Sequence, residues 1–340
     1  MATKIAITGL GARGHDWIRE VKASSAFELV ACIDVDPMAR AAAARTHRIP
    51  ESRCYGNLEE AFHENDDCQA VLVVTPADQH FKDCQTALSS GKAVLVEKPF
   101  TTNLADATQL VLLAEAKGLP LLVAQNYRYL RSFRTVRRLI REGRLGRIGI
   151  VVCQYYRVPH EMSPSHTKIT PSILWGIGVH HLDALRYVLG TEVNNVMADN
   201  FSLPWTSITK GASMRSLLSF ENGIRCSYFA TYESRGHEFF ERGQEFYLRF
   251  VGELATLHVF QRWLLLCEKE RLPRLLMRGA RRVTEEQILL GQLERAIMLN
   301  ETSDSSGRNN LQTMAIMEAC LRSSENKNWV NPQELLDELR

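Results

Sequence analysis

The 340-residue chain lacks most features that would identify its class at once. No apolar run approaches the ~20 residues needed to span a bilayer, so neither a membrane span nor a membrane partner is expected. The N-terminus, Met1-Ala2-Thr3-Lys4, runs straight into an apolar strand pattern with no basic stretch ahead of it. That predicts no signal peptide and a cytoplasmic location. No sign of charge dominates: 41 Lys plus Arg face 39 Asp plus Glu, a net charge of +2, which does not point to nucleic acid. The eight cysteines are widely scattered and form no CxxC pair. Neither a zinc ribbon nor a thioredoxin-type site is therefore encoded, no metal is expected, and the scatter fits reduced thiols. There is no internal repeat. What remains, 45% hydrophobic and 24% charged residues, is an ordinary globular composition. The length suggests about two domains.

The first part of the chain alternates strand and helix. Lys4–Ile7, Leu29–Asp34, Ala70–Val74, Ala93–Val96 and Leu119–Ala124 read as short, continuously apolar strands. Helical stretches lie between them, among them Pro37–Ala44, Gln79–Ser89 and Leu104–Lys117. Such alternation predicts a parallel sheet covered on both faces. After about Gly146 the pattern changes. Ile148–Arg157, Glu192–Ser202, Ala212–Phe220, Arg225–Tyr232 and Glu245–Phe250 read as strands, with one helix, Val179–Leu189, among them. Helices return at Glu285–Asn300, Leu311–Ser323 and Pro332–Leu339. The expected class is α/β: a dinucleotide-binding domain over 1–124, then an α/β domain over 125–340 built on an open, mostly antiparallel sheet. The final helices are candidates to pack back on the first domain.

Gly9-Leu10-Gly11-Ala12-Arg13-Gly14 is a GxGxxG placed directly after a strand and before a helix. The first glycine permits the tight turn, the second lets backbone approach a pyrophosphate, and the third lets helix and strand pack closely. The helix N-terminus then turns free N–H groups toward the phosphates. Asp34 follows 20 residues beyond Gly14, where a carboxylate accepts hydrogen bonds from the adenosine ribose. Its charge favours NAD over NADP, with Arg40 and Arg45 on the next helix tempering that preference.

The buried strand Val94–Val96 ends in Glu97-Lys98-Pro99, at the edge where doubly wound sheets bind ligands. Thr75-Pro76, His80, Gly91-Lys92, this tripeptide and Asn126-Tyr127-Arg128 form an ordered series. Together with the glycine loop, Gly143-Arg144-Leu145-Gly146, Gly252-Glu253 and Asn310–Ser323, the series resembles the Gfo/Idh/MocA family, which includes glucose–fructose oxidoreductase and inositol dehydrogenase. The likeness runs through almost the whole chain. It implies a Rossmann domain followed by a second α/β domain, a nicotinamide cofactor, and a sugar, polyol or related substrate. It places Thr75, Pro76, His80, Glu97 and Asn126 near the cofactor, and Lys98 beside both nicotinamide and substrate.

The family typically carries D-x-G-x-H-x-x-D at the start of a helix in its second domain. Here the matching stretch is Gly176-Ile177-Gly178-Val179-His180-His181-Leu182-Asp183, so the first aspartate is replaced by Gly176. By the resemblance, His180 is the base that exchanges the hydroxyl proton, a task imidazole performs near neutral pH. His181, His160, Glu161 and Tyr156 are candidates to make up for the missing carboxylate. Asp183 reads as structural. Arg128, Tyr156, Trp175 and His181 are candidate substrate contacts, with Tyr155 and Trp205 as further aromatic surfaces for a sugar ring. The missing aspartate also keeps open a different class of protein: a cofactor-binding sensor or regulatory subunit with the same fold and no turnover. Apart from Arg128, the arginines up to Arg147 recur at helical spacing and read as the solvated face of an amphipathic helix. Alternating apolar residues in Ile148–Tyr156 and Arg225–Tyr232 suggest a covered sheet face, hence a homodimer or homotetramer.

Overall fold

The structure is a computed structural model that describes residues 2–158, 170–206, 208, 211–234, 244–260, 263–276 and 283–339. The chain divides into two compact units, Met1–Asn126 with Arg282–Leu311, and Tyr127–Arg281 with Gln312–Arg340.

The first unit holds strands β1 (Thr3–Thr8), β2 (Phe27–Ile33), β3 (Cys54–Tyr55), β4 (Ala70–Val73), β5 (Ala93–Val96) and β6 (Leu121–Val123). They lie in the order β3-β2-β1-β4-β5-β6, every pair parallel. This is the doubly wound nucleotide-binding order, in which the strand order reverses between β1 and β4. β4 and β5 are buried along their whole length, which is why they read as unbroken apolar runs. Helices α1 (Ala12–Ala23), α2 (Pro37–His47), α3 (Leu58–Glu64), α4 (His80–Ser89) and α5 (Leu104–Ala116) connect them. Asp36, Asn57 and Asn103 cap α2, α3 and α5 by accepting from backbone N–H groups in the first turn. α3 and β3 were not expected: seven and two residues are too short for a periodic signal. Late in the chain α8 (Glu285–Leu299) rejoins this unit. The segment after it pairs with β6, where Val123 N donates to Ser305 O at 2.8 Å and Leu122 bridges Ser306.

The second unit is built on β7 (Ile148–Arg157), β8 (Val193–Phe201), β9 (Ser213–Phe220), β10 (Arg225–Thr231), β11 (Gln244–Gly252), β12 (Ala255–Phe260), β13 (Leu264–Glu268) and β14 (Arg274–Leu276). Their order is β14-β13-β12-β11-β7-β10-β9-β8, antiparallel except for the central β10–β7 pair. Alternation sorts the side chains. Val151, Cys153, Tyr155, Leu218, Tyr228, Leu248 and Phe250 are buried, whereas Ile150, Leu217 and Phe260 are among the exposed apolar residues. The unit also contains α6 (Arg131–Arg141), α7 (Val179–Leu189) and α10 (Pro332–Asp337). The first residues of α9 (Gly307–Asn326) belong to the first unit and the rest to the second.

One expectation needs correction. The arginine series is not one helix. Arg128 sits in the short 3-10 turn Asn126–Tyr129, α6 ends at Arg141, and Gly143 follows at φ +69°. Arg144 and Arg147 lie beyond it and pair with Glu268 and Glu253. In the basic stretch that begins at Arg271, Arg274–Leu276 forms the edge strand β14, while residues 277–282 lie outside the described ones. Among the described residues no helix is long and apolar enough to cross a membrane.

Candidate active site

The first unit assembles a dinucleotide cradle at the carboxyl ends of its strands. Gly9 has φ +91°, and a Cβ there would lie 2.5 Å from Val74 C and Thr75 N. A Cβ on Gly14 would lie 2.1 Å from Gly9 O. These two glycines are therefore required by the packing of β1, α1 and β4. Gly11 differs: a Cβ there would meet nothing within 4 Å, so its side is open. It opens at the N-terminus of α1, where a pyrophosphate would lie; Ala12 and Arg13 begin that helix.

Asp34 leaves the end of β2 and is held against this loop. Its Oδ2 accepts from Leu10 N at 2.7 Å and its Oδ1 from Asp36 N at 2.9 Å. Each oxygen keeps a further lone pair for a ribose hydroxyl. Arg40 reaches back from α2 and donates to Asp34 O at 2.7 Å and Val35 O at 3.3 Å.

The loop after β5 is built around Glu97. Arg13 Nε donates to Glu97 Oε1 at 2.6 Å and Trp17 Nε1 to the same oxygen at 2.7 Å, while Lys98 N lies 3.1 Å from Oε2. Burial by itself would raise the Glu97 carboxyl, but the Arg13 and Lys98 cations and the Trp17 N–H outweigh it and hold the group below the usual carboxylate range. Burial pushes the Lys98 ammonium in the direction of easier proton loss; Glu97 opposes this and Arg13 adds to it. His80 ties the neighbouring loops together, its ring nitrogens 2.8 Å from Thr75 O and from Pro99 O. Thr75 Oγ1 donates to Asp83 Oδ2 at 2.7 Å, with Pro76 beside it at the end of β4. At the end of β6, Asn126 Oδ1 and both side-chain atoms of Gln125 are buried without a hydrogen-bond partner. Such orphaned amides fit a ligand that supplies the missing partners. The open side of Gly11, the Asp34 carboxylate and these amides all suit NAD.

In the second unit the motif begins on the π-helical turn Leu174–Gly178 and continues into α7. π turns of this kind are rare and often mark functional sites. Trp175 and His180 are buried, Gly176 partly so. The Tyr127 ring stacks on His180 at 4.1 Å and 19°, fixing the plane of the imidazole. His181 turns the other way. It is 1% exposed, hydrogen-bonds Tyr228 Oη at 3.1 Å and stacks on Phe246 at 4.8 Å. Burial lowers its pKa to about 3, so it is a neutral core histidine at physiological pH. Tyr156 is partly exposed against Phe229, Tyr155 is buried and Trp205 exposed. His160 and Glu161 lie outside the described residues.

Arg128 and Asp183, both at most 2% exposed, form a two-pronged pair, with Nε–Oδ2 2.5 Å and Nη2–Oδ1 2.6 Å. Thr313 Oγ1 donates to Asp183 Oδ1 at 2.7 Å and accepts from Arg186 Nη1 at 2.8 Å. The Arg128 fork is thus occupied in anchoring α7, and Tyr127 is the neighbour that it brings to His180. Sequence reasoning missed Trp17, Glu286 and Thr313. Their partners lie 80, 273 and 130 residues away, and no local pattern announces them.

Residues 3–125 match the NAD-binding Rossmann fold of the oxidoreductase family, and residues 133–258 match the GFO/IDH/MocA C-terminal domain. The chain belongs to the Gfo/Idh/MocA oxidoreductase family, and its first unit is that family's NAD-binding domain. The Escherichia coli oxidoreductase YhhX is 39% identical over 136 residues, 39% of each chain. Inositol 2-dehydrogenase of Burkholderia multivorans is 30% identical over 195 residues, 56% of each. The chain thus spans about half the length of the curated relatives it matches. Among solved structures, an Agrobacterium radiobacter oxidoreductase in complex with NAD+, L-tartaric acid and magnesium superposes with a TM-score of 0.89 at 20% identity, covering 98% of this chain and 100% of that one. An inositol dehydrogenase homologue from Azotobacter vinelandii, complexed with NADH and myo-inositol, gives 0.83 at 19%, covering 97% and 98%. At that identity the likeness is one of fold.

Proposed function

We propose that the protein is an NAD-dependent dehydrogenase or reductase acting on a secondary hydroxyl or ketone of a sugar, polyol or related metabolite. The observation that carries this reading is the conjunction of the open glycine cradle with its Asp34 partner and a lysine presented by a buried, charge-compensated loop. When bound, NAD supplies the hydride acceptor. Gly9, Gly11, Ala12, Arg13 and Gly14 form the loop that holds it, Asp34 binds the ribose hydroxyls, and Thr75, Pro76, His80, Glu97 and Asn126 shape the remaining wall. Lys98 Nζ holds the reacting oxygen. A ring nitrogen of His180 takes the hydroxyl proton in oxidation and returns it in reduction. A screen of sugars, inositols and sugar acids with NAD and NADP, followed by absorbance of the reduced cofactor, tests the reading. The glycine at 176 favours one alternative, a sensor of the same fold. Intact NAD binding with no turnover across the screen is its signature.

NAD binds more tightly than NADP, because Asp34 meets a 2′-phosphate with like charge. Calorimetric titration of both cofactors checks this, and Asp34→Ala narrows the difference. Tighter binding of NADP by the unaltered protein would remove Asp34 from its role.

The reading also includes a homodimer or homotetramer. Ile150, Leu217 and Phe260, exposed at 52%, 50% and 42%, share one sheet face with Val152, Phe229 and Leu265, and apolar patches of this kind are rarely left bare. Light scattering at micromolar concentration should give a multiple of 38.6 kDa; a monomer mass would contradict it.

A further inference from the structure

Glu286 lies in the first turn of α8, far along the chain from every motif of the cofactor site, yet it is buried and directed at the glycine loop. Its Oε1 accepts from Arg13 Nη2 at 2.9 Å, and Nε of the same guanidinium donates to Glu97 Oε1 at 2.6 Å. Arg13 also lies over the Trp17 ring at 5.2 Å, and Trp17 itself donates to Glu97. The start of α8 is fastened to α1 a second time, since Gln287 Nε2 donates to Glu20 O at 2.7 Å and Thr284 Oγ1 to Glu20 Oε2 at 3.0 Å. An arginine in a glycine loop would ordinarily be counted as a phosphate ligand. Here its guanidinium is shared between two buried carboxylates, one of which precedes Lys98.

We propose that Glu286 is a positioning residue for Lys98: through Arg13 it holds the Glu97 carboxylate in place and balances the charge against which the Lys98 ammonium sits. The proposal rests on the reading that Lys98 handles the reacting oxygen. The charged groups that act on Lys98 are Glu97 on its own loop and Arg13 on α1; Asp16 on α1 and Glu286 on α8 face that arginine, Glu285 adjoins Glu286 in the first turn of α8, and His80 on α4 hydrogen-bonds the Pro99 carbonyl. Taking away the Glu286 charge leaves the Arg13 cation less compensated, which disfavours a second cation at Lys98. Taking away Arg13 does the opposite.

The test is an NMR pH titration of the full chain carrying isotopically labelled lysine, with the Lys98 signal identified by its loss in Lys98→Arg. In Glu286→Gln the Lys98 midpoint should fall by about one pH unit, the order of magnitude of a unit-charge change near a partly desolvated group. In Arg13→Met it should rise, and in Glu286→Asp it should return toward the starting value. Circular dichroism and a cooperative urea transition confirm that each variant is folded. A midpoint that stays within about 0.2 pH unit in Glu286→Gln, or that rises, overturns the proposal. The readout needs no substrate, so it stands apart from the functional reading. If the Lys98 midpoint moves as stated but the pH profile of turnover does not follow it, the role of Lys98 in the reaction fails while the positioning by Glu286 holds.

Discussion

Lys98→Ala and His180→Ala should each lower turnover on a confirmed substrate by about 10²–10⁴-fold, the usual contribution of a positioned acid or base. NAD should still bind to both variants. The proposed anchors of the cofactor are the glycine loop and Asp34, and Asp34 is held by backbone N–H groups of Leu10 and Asp36, independently of either side chain. The two losses should differ in their pH dependence. Lys98 sits in a loop whose burial favours the neutral amine, opposed by Glu97, so its removal changes the charge of the site as well as its hydrogen bonding. His180 is held by stacking on Tyr127, and Tyr127→Ala should therefore reproduce part of the His180→Ala loss, whereas Tyr127→Phe should retain most activity. Unchanged turnover in His180→Ala would take His180 out of the mechanism. Gly176→Asp supplies the carboxylate typical of the family. Activity that rises or holds in this variant means the relay was merely incomplete, and lost substrate binding means that the pocket has been rebuilt around the glycine.

The largest effect on stability should come from Arg128→Met. Asp183 is 0% exposed, and both of its oxygens accept from the Arg128 fork. Removing the guanidinium leaves an interior carboxylate with Thr313 and a single longer ion pair to Arg186, 3.7 Å from Oδ1, as partners. Breaking one side of a buried ion pair typically costs about 3–5 kcal/mol, because the remaining charge is left uncompensated. Urea unfolding followed by circular dichroism measures this. Replacing both members, Arg128→Met with Asp183→Leu, should recover a large part of the loss, since well-packed apolar residues often substitute for a buried pair. Arg128→Lys should fall between, keeping the charge but losing the planar fork. A loss below about 1 kcal/mol in Arg128→Met would show that Asp183 is compensated by other groups.

Much of this protein was legible before its structure. The parallel sheet was readable because strands buried on both faces are continuously apolar, as β4 and β5 are from end to end. The glycine loop was readable because its three glycines answer local steric demands: Gly9 and Gly14 would collide with neighbouring backbone if they carried a Cβ. β7 and α7 matched their expected bounds because one alternates and the other ends at Gly190, at φ +65°. Less legible were β12, β13 and β14, which complete an edge of the second sheet with three to six residues each. So was the arginine series, which kept a helical spacing across a 3-10 turn, a helix and a glycine-terminated loop.

The sequence by itself determined most of the elements, the cofactor class and the family, because each depends on residues close together in the chain: a turn, a cap, an apolar run, an ordered set of short motifs. Only the tertiary structure decided which charges meet. Arg128 read as a candidate substrate contact, and only the fold shows that its guanidinium pairs with Asp183, 55 residues away. His180 and His181 are neighbours in sequence, yet one stacks on Tyr127 and the other is buried against Phe246 and Tyr228. Arg13 was legible as a member of the glycine loop, but its ion pair with Glu286 on α8, 273 residues away, was not. Helical and strand periodicity specifies which face of an element is buried, but not what lies opposite. Electrostatic partners act through space at a few ångströms, and the separation of two residues along the chain says nothing of that distance until the fold has closed it.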